Sequence, residues 1–119
     1  MNSLELEQRL INLSIAVSES VRGYAYKDDL SHLVGQILRS CSSSALNYGE
    51  AQGAESRKDF NHKICIVLKE LKETKINLRL FIAAVNAGDK QKFDELIKEN
   101  DELVAIFYSI RKKLMKHPK

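Results

Sequence analysis

The sequence predicts an all-α protein, an antiparallel up-down-up-down four-helix bundle. Three observations lead to this fold class. The 119 residues include only five Gly and one Pro, too few turn residues for a sandwich or a doubly wound sheet. Apolar residues recur at three- and four-residue spacing through long segments, which is the period of an amphipathic helix. A chain of this length forms one ordinary domain, so we expect residues 1–119 to be a single bundle.

The first two helices are predicted at residues 3–22 and 29–52. The apolar stripe of the first is Leu6, Leu10, Leu13, Val17 and Val21, and the segment GYAYKDD follows it. The stripe of the second is Leu33, Ile37, Cys41, Ser44, Tyr48 and Ala51. We expect this helix to end near Gly53, because glycine suits the left-handed position after a helix end. Its small residues, Gly35, Ser40, Ser42, Ser43, Ser44 and Ala45, favour close packing of a neighbouring backbone over a catalytic loop.

The last two helices are predicted at residues 57–87 and 90–116. Ser56 and Asp59 form a near capping box at the start of the third helix. The stripe of the third helix is Phe60, Ile64, Val67, Leu71, Thr74, Leu78, Phe81 and Val85. We expect this helix to close at Gly88 and Asp89 to cap the fourth. The stripe of the fourth is Phe93, Leu96, Leu103, Phe107, Ile110 and Leu114.

The charge and hydropathy patterns indicate neither export nor membrane insertion. The N-terminal segment MNSLELEQRL is acidic where a secretory signal would be basic, and no apolar run exceeds six residues. We therefore expect a cytoplasmic protein with no membrane partner. The net charge is +3, and residues 111–119 carry five of the 19 basic residues and none of the 16 acidic ones. The basic character is mostly that of the C-terminal tail.

Apolar runs in the last two helices predict self-association. The run ICIVL at residues 64–68 covers the whole circumference of a helix at about 100° per residue. The runs LFIAAV at 80–85 and LVAIF at 103–107 repeat this feature, and exposed apolar surface commonly marks protein contacts. The candidate oligomer contacts are Ile66, Leu68, Leu80, Ile82, Val104 and Ile106. The alternative is that wider helix packing within one subunit covers these positions.

The sequence offers no catalytic, metal or cofactor site. A di-iron bundle needs two Glu-x-x-His pairs, whereas this chain has one Asp59-x-x-His62, at a helix start where Asp59 already has a capping role. Cys41 and Cys65 lack the paired spacing of a zinc or redox motif. The serines at 42–44 lack a nucleophile elbow, and no Gly-x-Gly phosphate loop occurs. We therefore expect a protein that is not an enzyme and binds no cofactor.

Basic residues of the third helix and the tail are candidates for nucleic-acid binding. The four basic residues of the third helix are spaced three, three and four residues apart, so they form a stripe away from the core face. The candidate residues are Lys69, Lys72, Lys75, Arg79, Arg111, Lys112, Lys113 and Lys116. Such a patch would bind phosphates with an affinity that falls steeply with salt. The alternative is an ordinary solvated helix face.

The polar positions resemble a known family. The run SCSSSALNYGEAQGAESRKDFNHKICIVLKELKETKINLRLF, followed by NDELVAIFYSIRKK, is similar to the 23S rRNA intervening sequence proteins, sometimes labelled S23. The matching positions are Arg39, Ser40, Ser43, Leu46, Asn47, Glu50, Ala51, Ser56, Lys58, Asp59, Phe60, Val67, Leu68, Lys69, Glu70 and Glu73. Leu46 departs from the usual Ala. The resemblance covers about residues 5–115.

This resemblance implies a cytoplasmic four-helix bundle that assembles into a homopentameric ring and has no enzymatic activity. A related group, the accessory variability determinant proteins of diversity-generating retroelements, implies a partner that handles nucleic acid. Together with this resemblance, the sequence leads us to expect hydrogen bonds between the second and third helices, or between subunits, from the polar residues Asn47, Glu50, Glu70 and Glu73.

Two functions remain open from the sequence. The first is a non-enzymatic oligomeric scaffold that associates with RNA or with a nucleic-acid-handling protein. The alternative is an adaptor that docks another polypeptide and binds no nucleic acid.

Overall fold

The chain folds into four α-helices, and a computed structural model describes residues 1–85 and 90–116. Within these residues the helices are α1 Ser3–Val21, α2 Ser31–Gln52, α3 Arg57–Val85 and α4 Lys90–Lys116, with one 3-10 turn at Arg22–Tyr24 and no β-strand. The prediction of an all-α protein with four helices is confirmed. The predicted end of α3 at residue 87, its closure at Gly88 and the cap at Asp89 lie outside the described residues.

Side chains cap the starts of α1 and α3. Asn2 Oδ1 accepts a hydrogen bond from the Glu5 backbone N–H at 2.8 Å, and Glu5 Oε2 accepts one from the Asn2 N–H at 3.3 Å. This reciprocal capping box satisfies two N–H groups at the helix start. At α3, Ser56 Oγ accepts from the Asp59 N–H at 3.0 Å, so the predicted cap is present. The Asp59 carboxylate accepts from Glu55 rather than Ser56.

The end of α2 differs from the prediction in its backbone conformation. The helix ends at Gln52, next to Gly53 as expected, but Gly53 has φ −103° and ψ 17°. The left-handed conformation predicted for Gly53 is therefore wrong. Its N–H donates to the Glu50 carbonyl at 3.0 Å, which closes the helix with an ordinary turn that does not require glycine.

The core follows the predicted stripes. All five predicted positions of α1 are buried, and so are Ile37 and Cys41 of α2 and Ile64 and Leu71 of α3. Other predicted stripe positions are half-buried: Leu33, Phe60, Val85, Leu96, Ile110 and Leu114. Each helix packs against the helices before and after it, and α1 also packs against α4. Burying each Leu, Ile, Val or Phe side chain stabilises the fold by about 1.5–3 kcal/mol, because its apolar surface leaves water.

Aromatic side chains fill both ends of the core. Near the connection between α1 and α2, Phe81 packs against Tyr24 with ring centroids 5.1 Å apart and against Phe93 at 5.7 Å. Near the connection between α2 and α3, Tyr48 meets Phe107 edge to face at 5.2 Å. Edge-to-face pairs add a small stabilisation beyond the area that they bury.

The long apolar run of α3 is mostly covered within the subunit. Ile64 and Val67 are fully buried, Leu68 is 4% exposed, and Cys65 and Ile66 are half-buried. This occurs because α2 packs against one side of α3 and α4 against another. For residues 64–68, the alternative of wider packing within one subunit therefore explains the sequence pattern.

Ion pairs join neighbouring helices. Lys63 Nζ lies 2.7 Å from Glu50 Oε1 near the connection between α2 and α3. Arg9 Nε and Nη2 donate to the two carboxylate oxygens of Glu99, at 2.9 and 2.5 Å, and this joins α1 to α4. The molecule measures 48 × 24 × 20 Å, and its long axis suits helices of 27–29 residues that rise about 1.5 Å per residue.

None of the helices in residues 1–85 and 90–116 combines the length and the apolar character that crossing a bilayer requires.

Candidate functional site

A charged contact joins α2 to α3. Arg39 Nη1 donates to Glu70 Oε2 at 2.8 Å, and Arg39 Nη2 donates to Glu73 Oε2 at 2.7 Å. Glu70 and Glu73 are three residues apart on α3, so one planar guanidinium bridges both carboxylates. The Arg39 side chain is 58% exposed, whereas that of Glu70 is 5% exposed. The contact therefore runs from the surface to the edge of the core.

Glu70 is a buried carboxylate that stays ionised. Burial alone would raise its pKa, but hydrogen bonds from Ser43 and Arg39 and the charge of Arg39 outweigh it, so the pKa is lowered. The same contact raises the pKa of Arg39, first through the hydrogen bond to Glu73 and then through that to Glu70. Glu70 therefore carries a negative charge at neutral pH.

Hydroxyl groups extend these polar contacts into the core. Ser40 Oγ and Thr74 Oγ1 are 2.8 Å apart, and both residues are fully buried. Thr74 Oγ1 also donates to the Glu70 carbonyl at 2.9 Å. A serine at 40 leaves room for this pair, as the small-residue interpretation of α2 requires. Gly35 and Ser42, by contrast, are exposed and do not provide close packing.

The predicted polar residues divide between two environments. Glu50, Glu70 and Glu73 contact basic side chains across the interface between α2 and α3. Asn47 is different, because its amide nitrogen donates to the Ser43 carbonyl at 2.9 Å and to Ser43 Oγ at 3.0 Å within α2. The sequence interpretation missed the basic partners Arg39 and Lys63. The sequence signal for these partners was that Arg39 and Lys63 lie on opposite sides of the break at residues 53–56, as do the carboxylates that they bind.

Among the described residues, polar contacts also join α3 to α4, and the sequence predicted none of those given below. Asn100 is fully buried and donates from Nδ2 to the Leu71 carbonyl at 2.9 Å. Lys75 Nζ lies 3.0 Å from Asp101 Oδ1. Lys72 Nζ contacts the hydroxyl of Tyr108 and lies 4.7 Å from the centroid of its ring. The polar character of Asn100 within an apolar stripe was the only sequence signal.

The structure gathers some of the predicted basic residues and separates others. Lys69, Lys72 and Arg111 line one groove of about 420 Å³ between α3 and α4, which we call the basic groove. Lys75 and Arg79 line a neighbouring groove of about 580 Å³ that also contains Lys90 and Asp94. Lys112, Lys113 and Lys116 are exposed on α4 and line neither groove.

The predicted oligomer contacts also divide. Leu80 is 55% exposed, as a contact residue requires. Leu68 is 4% exposed and belongs to the core of its own subunit, so almost none of its side chain is left for a second chain. Three more, Ile82, Val104 and Ile106, are partly buried against that core, and Ile66 is half-buried. Sequence reasoning missed Ile76, which is 58% exposed one turn before Leu80.

The described residues contain no group of three His, Cys, Asp or Glu side chains arranged to hold a metal ion. Both cysteines are free, and Cys41 is buried. Burial raises the pKa of the Cys41 thiol, so this group stays protonated at neutral pH and is a poor nucleophile.

Comparisons with known proteins agree on one family. The sequence model described as 23S rRNA-intervening sequence protein matches residues 2–109. A crystal structure of a protein of unknown function from the S23 ribosomal protein family of Bacteroides thetaiotaomicron is similar, with 26% sequence identity and a TM-score of 0.81. The similarity covers 90% of this chain and 98% of that chain. No curated protein matches the sequence.

Proposed function

Because the chain belongs to the 23S rRNA-intervening sequence protein family, we propose that it is a non-enzymatic, cytoplasmic RNA-associated scaffold that assembles into a homopentameric ring. The observation that carries the proposal is the basic groove, which is lined by Lys69, Lys72 and Arg111, none of them in an ion pair within residues 1–85 and 90–116. Phosphate groups are the most abundant anions that an RNA-associated protein meets, and Lys and Arg are the side chains that bind them.

The scaffold is an antiparallel bundle in this proposal. The ion pairs between α2 and α3 support it, because Glu50 pairs with Lys63 near the connection, while Arg39 pairs with Glu70 and Glu73 farther from it. In a parallel pair of helices, residues farther along one helix would instead pair with residues farther along the other. Between α3 and α4, Lys75 pairs with Asp101 and Lys72 contacts Tyr108. The earlier residue of α3 thus contacts the later residue of α4, which is again the antiparallel order.

Exposed apolar surface supports assembly. Leu80 is 55% exposed on α3 and carries the proposed contact, whereas Ile76, 58% exposed one turn earlier, lines the basic groove. Closed symmetry is the usual form of such self-association. A ring would also repeat the basic groove once per subunit, and an RNA that reached several grooves would bind with higher avidity.

Light scattering and a gel shift test the two parts of this proposal. The expected mass is five times the 13.5 kDa of the chain, and a mass of 13.5 kDa at high concentration would contradict assembly. In the gel shift, a structured RNA should bind at about 50 mM salt and be released as salt rises. Absence of binding at this low salt would remove the RNA function and favour the protein adaptor.

A further inference from the structure

The basic groove combines charge with a flat aromatic surface. Its walls include Lys69 and Lys72 of α3, Tyr108 and Arg111 of α4, and the apolar side chains of Leu68 and Ile76. The Tyr108 residue is 42% exposed. A cavity volume of about 420 Å³ lies within the range of small-molecule sites, which runs from about 300 to 1,000 Å³.

The three basic side chains of the groove have no ion-pair partner among the described residues, although the Glu73 carboxylate also lines it. Glu73 is itself bound by Arg39 at 2.7 Å. The Nε atom of Arg111 is enclosed and has no hydrogen-bond partner in the described part of the chain. This distinguishes the groove from Lys75, whose charge is offset by Asp101.

Contacts across the groove set the position of the aromatic ring. Lys72 on α3 contacts the hydroxyl of Tyr108 on α4, with Nζ 4.7 Å from the ring centroid, so it lies at the hydroxyl edge of the ring and leaves the ring face free. Tyr108 is thus held on the wall of the groove, beside the positive charges that line the groove.

We propose that the basic groove binds one unpaired nucleotide of an RNA strand, with its phosphate near Lys69, Lys72 and Arg111 and its base against the ring of Tyr108. A bare phosphate needs the charges only, whereas a nucleotide uses the charges and the flat apolar wall together. Stacking of a base on an aromatic ring tolerates any base identity, so the site selects unpaired strands without reading their sequence. This inference rests on the proposed RNA function.

Variants of the chain test the groove against general charge attraction. Arg111→Gln and Lys112→Gln each remove one positive charge from adjacent positions of α4, but only Arg111 lines the groove. In a fluorescence-anisotropy titration with a single-stranded oligonucleotide, Arg111→Gln should weaken binding more than Lys112→Gln. Equal effects of the two substitutions would overturn the groove.

Aromatic variants test the stacking. Tyr108→Leu should weaken single-strand binding about tenfold and leave the salt dependence unchanged, whereas Tyr108→Phe should retain binding. Circular dichroism and light scattering would check that both variants keep the helices and the assembly of the parent chain. The proposal would be contradicted if both variants kept the affinity of the parent chain, or if both lost it equally.

Competing ligands separate the sources of the nucleotide. A single-stranded RNA should compete better than a fully paired duplex of the same length, and free adenosine monophosphate should compete only weakly. Equal competition by the duplex would show that the groove binds phosphate alone, and strong competition by the mononucleotide would assign it to free nucleotides. Either result overturns the groove proposal while leaving RNA association intact, whereas absence of RNA binding by the parent chain removes both.

Discussion

At the residue scale, the most informative side chain is Glu70. Carboxylates are rarely buried without a partner, and here Arg39 and Ser43 provide the partners. Breaking such a contact by removing one partner is costly, because the remaining charge stays buried. We therefore expect the contact to fix one register between α2 and α3.

The lowered pKa of Glu70 predicts a dependence of stability on pH. A carboxylate whose pKa is lower in the folded state contributes stability above its ordinary value of 4.5, and this contribution is lost as the pH falls through the folded pKa. Glu70→Gln should therefore be less stable than the parent chain at pH 7, and the difference should shrink in acid. Urea denaturation across this range measures both chains.

Glu50→Gln serves as the matched control, since Glu50 is also paired but its side chain is 59% exposed. Exposed ion pairs contribute little, so this substitution should change the free energy of unfolding by less than about 1 kcal/mol. A difference between Glu70→Gln and the parent chain that is the same at pH 7 and in acid would contradict the role assigned to Glu70.

At the scale of elements, α3 has the largest share of the core. It is the longest helix, with 29 residues, and it packs against both α2 and α4. Its buried stripe includes Ile64, Val67 and Leu71, which are fully enclosed. The stability of the bundle should therefore be most sensitive to truncation of this stripe.

A pair of Leu→Ala substitutions tests this sensitivity. Leu71→Ala removes a fully buried side chain and should lower the free energy of unfolding by about 2–5 kcal/mol. Leu46→Ala makes the same chemical change on the surface of α2, where the side chain is 65% exposed, and should cost within about 0.5 kcal/mol. Comparable losses in the two variants, measured by urea denaturation, would show that Leu46 is covered in the assembled protein.

At the scale of the whole molecule, Leu80 is apolar surface that one subunit leaves uncovered on α3. Of the apolar runs that indicated self-association, the one at residues 64–68 is mainly covered within the subunit, whereas Leu80, Ala83 and Ala84 of the run at 80–85 are exposed. The assembly proposal therefore depends on fewer residues than the sequence pattern predicted.

Leu80→Glu should disrupt the proposed ring, because it would bury a charge at each subunit contact. Light scattering should then give the 13.5 kDa mass of a single chain. Ile15→Glu is the control, since Ile15 is 51% exposed on α1 and outside the predicted contacts. An unchanged assembly mass for Leu80→Glu would place the subunit contact elsewhere on the molecule.

The helices and their core stripes were predictable because helical periodicity is a local property of the chain. The positions of Leu10, Val17 and Leu71 follow from spacing alone, and the family resemblance added the polar positions. The basic groove was predictable only in part, since Lys69 and Lys72 share a helix face but Arg111 and Tyr108 come from another helix. No local pattern specifies which faces of α3 and α4 meet.

Taken alone, the sequence determined the helical class, the buried stripes and the family, because these depend on residue type and spacing along the chain. Only the tertiary structure decided that Leu68 is internal, that Arg39 bridges Glu70 and Glu73, and that Lys69, Lys72 and Arg111 line one groove with Tyr108. The physical reason is that burial and charge pairing depend on distances between helices, and helix packing sets these distances through many contacts at once.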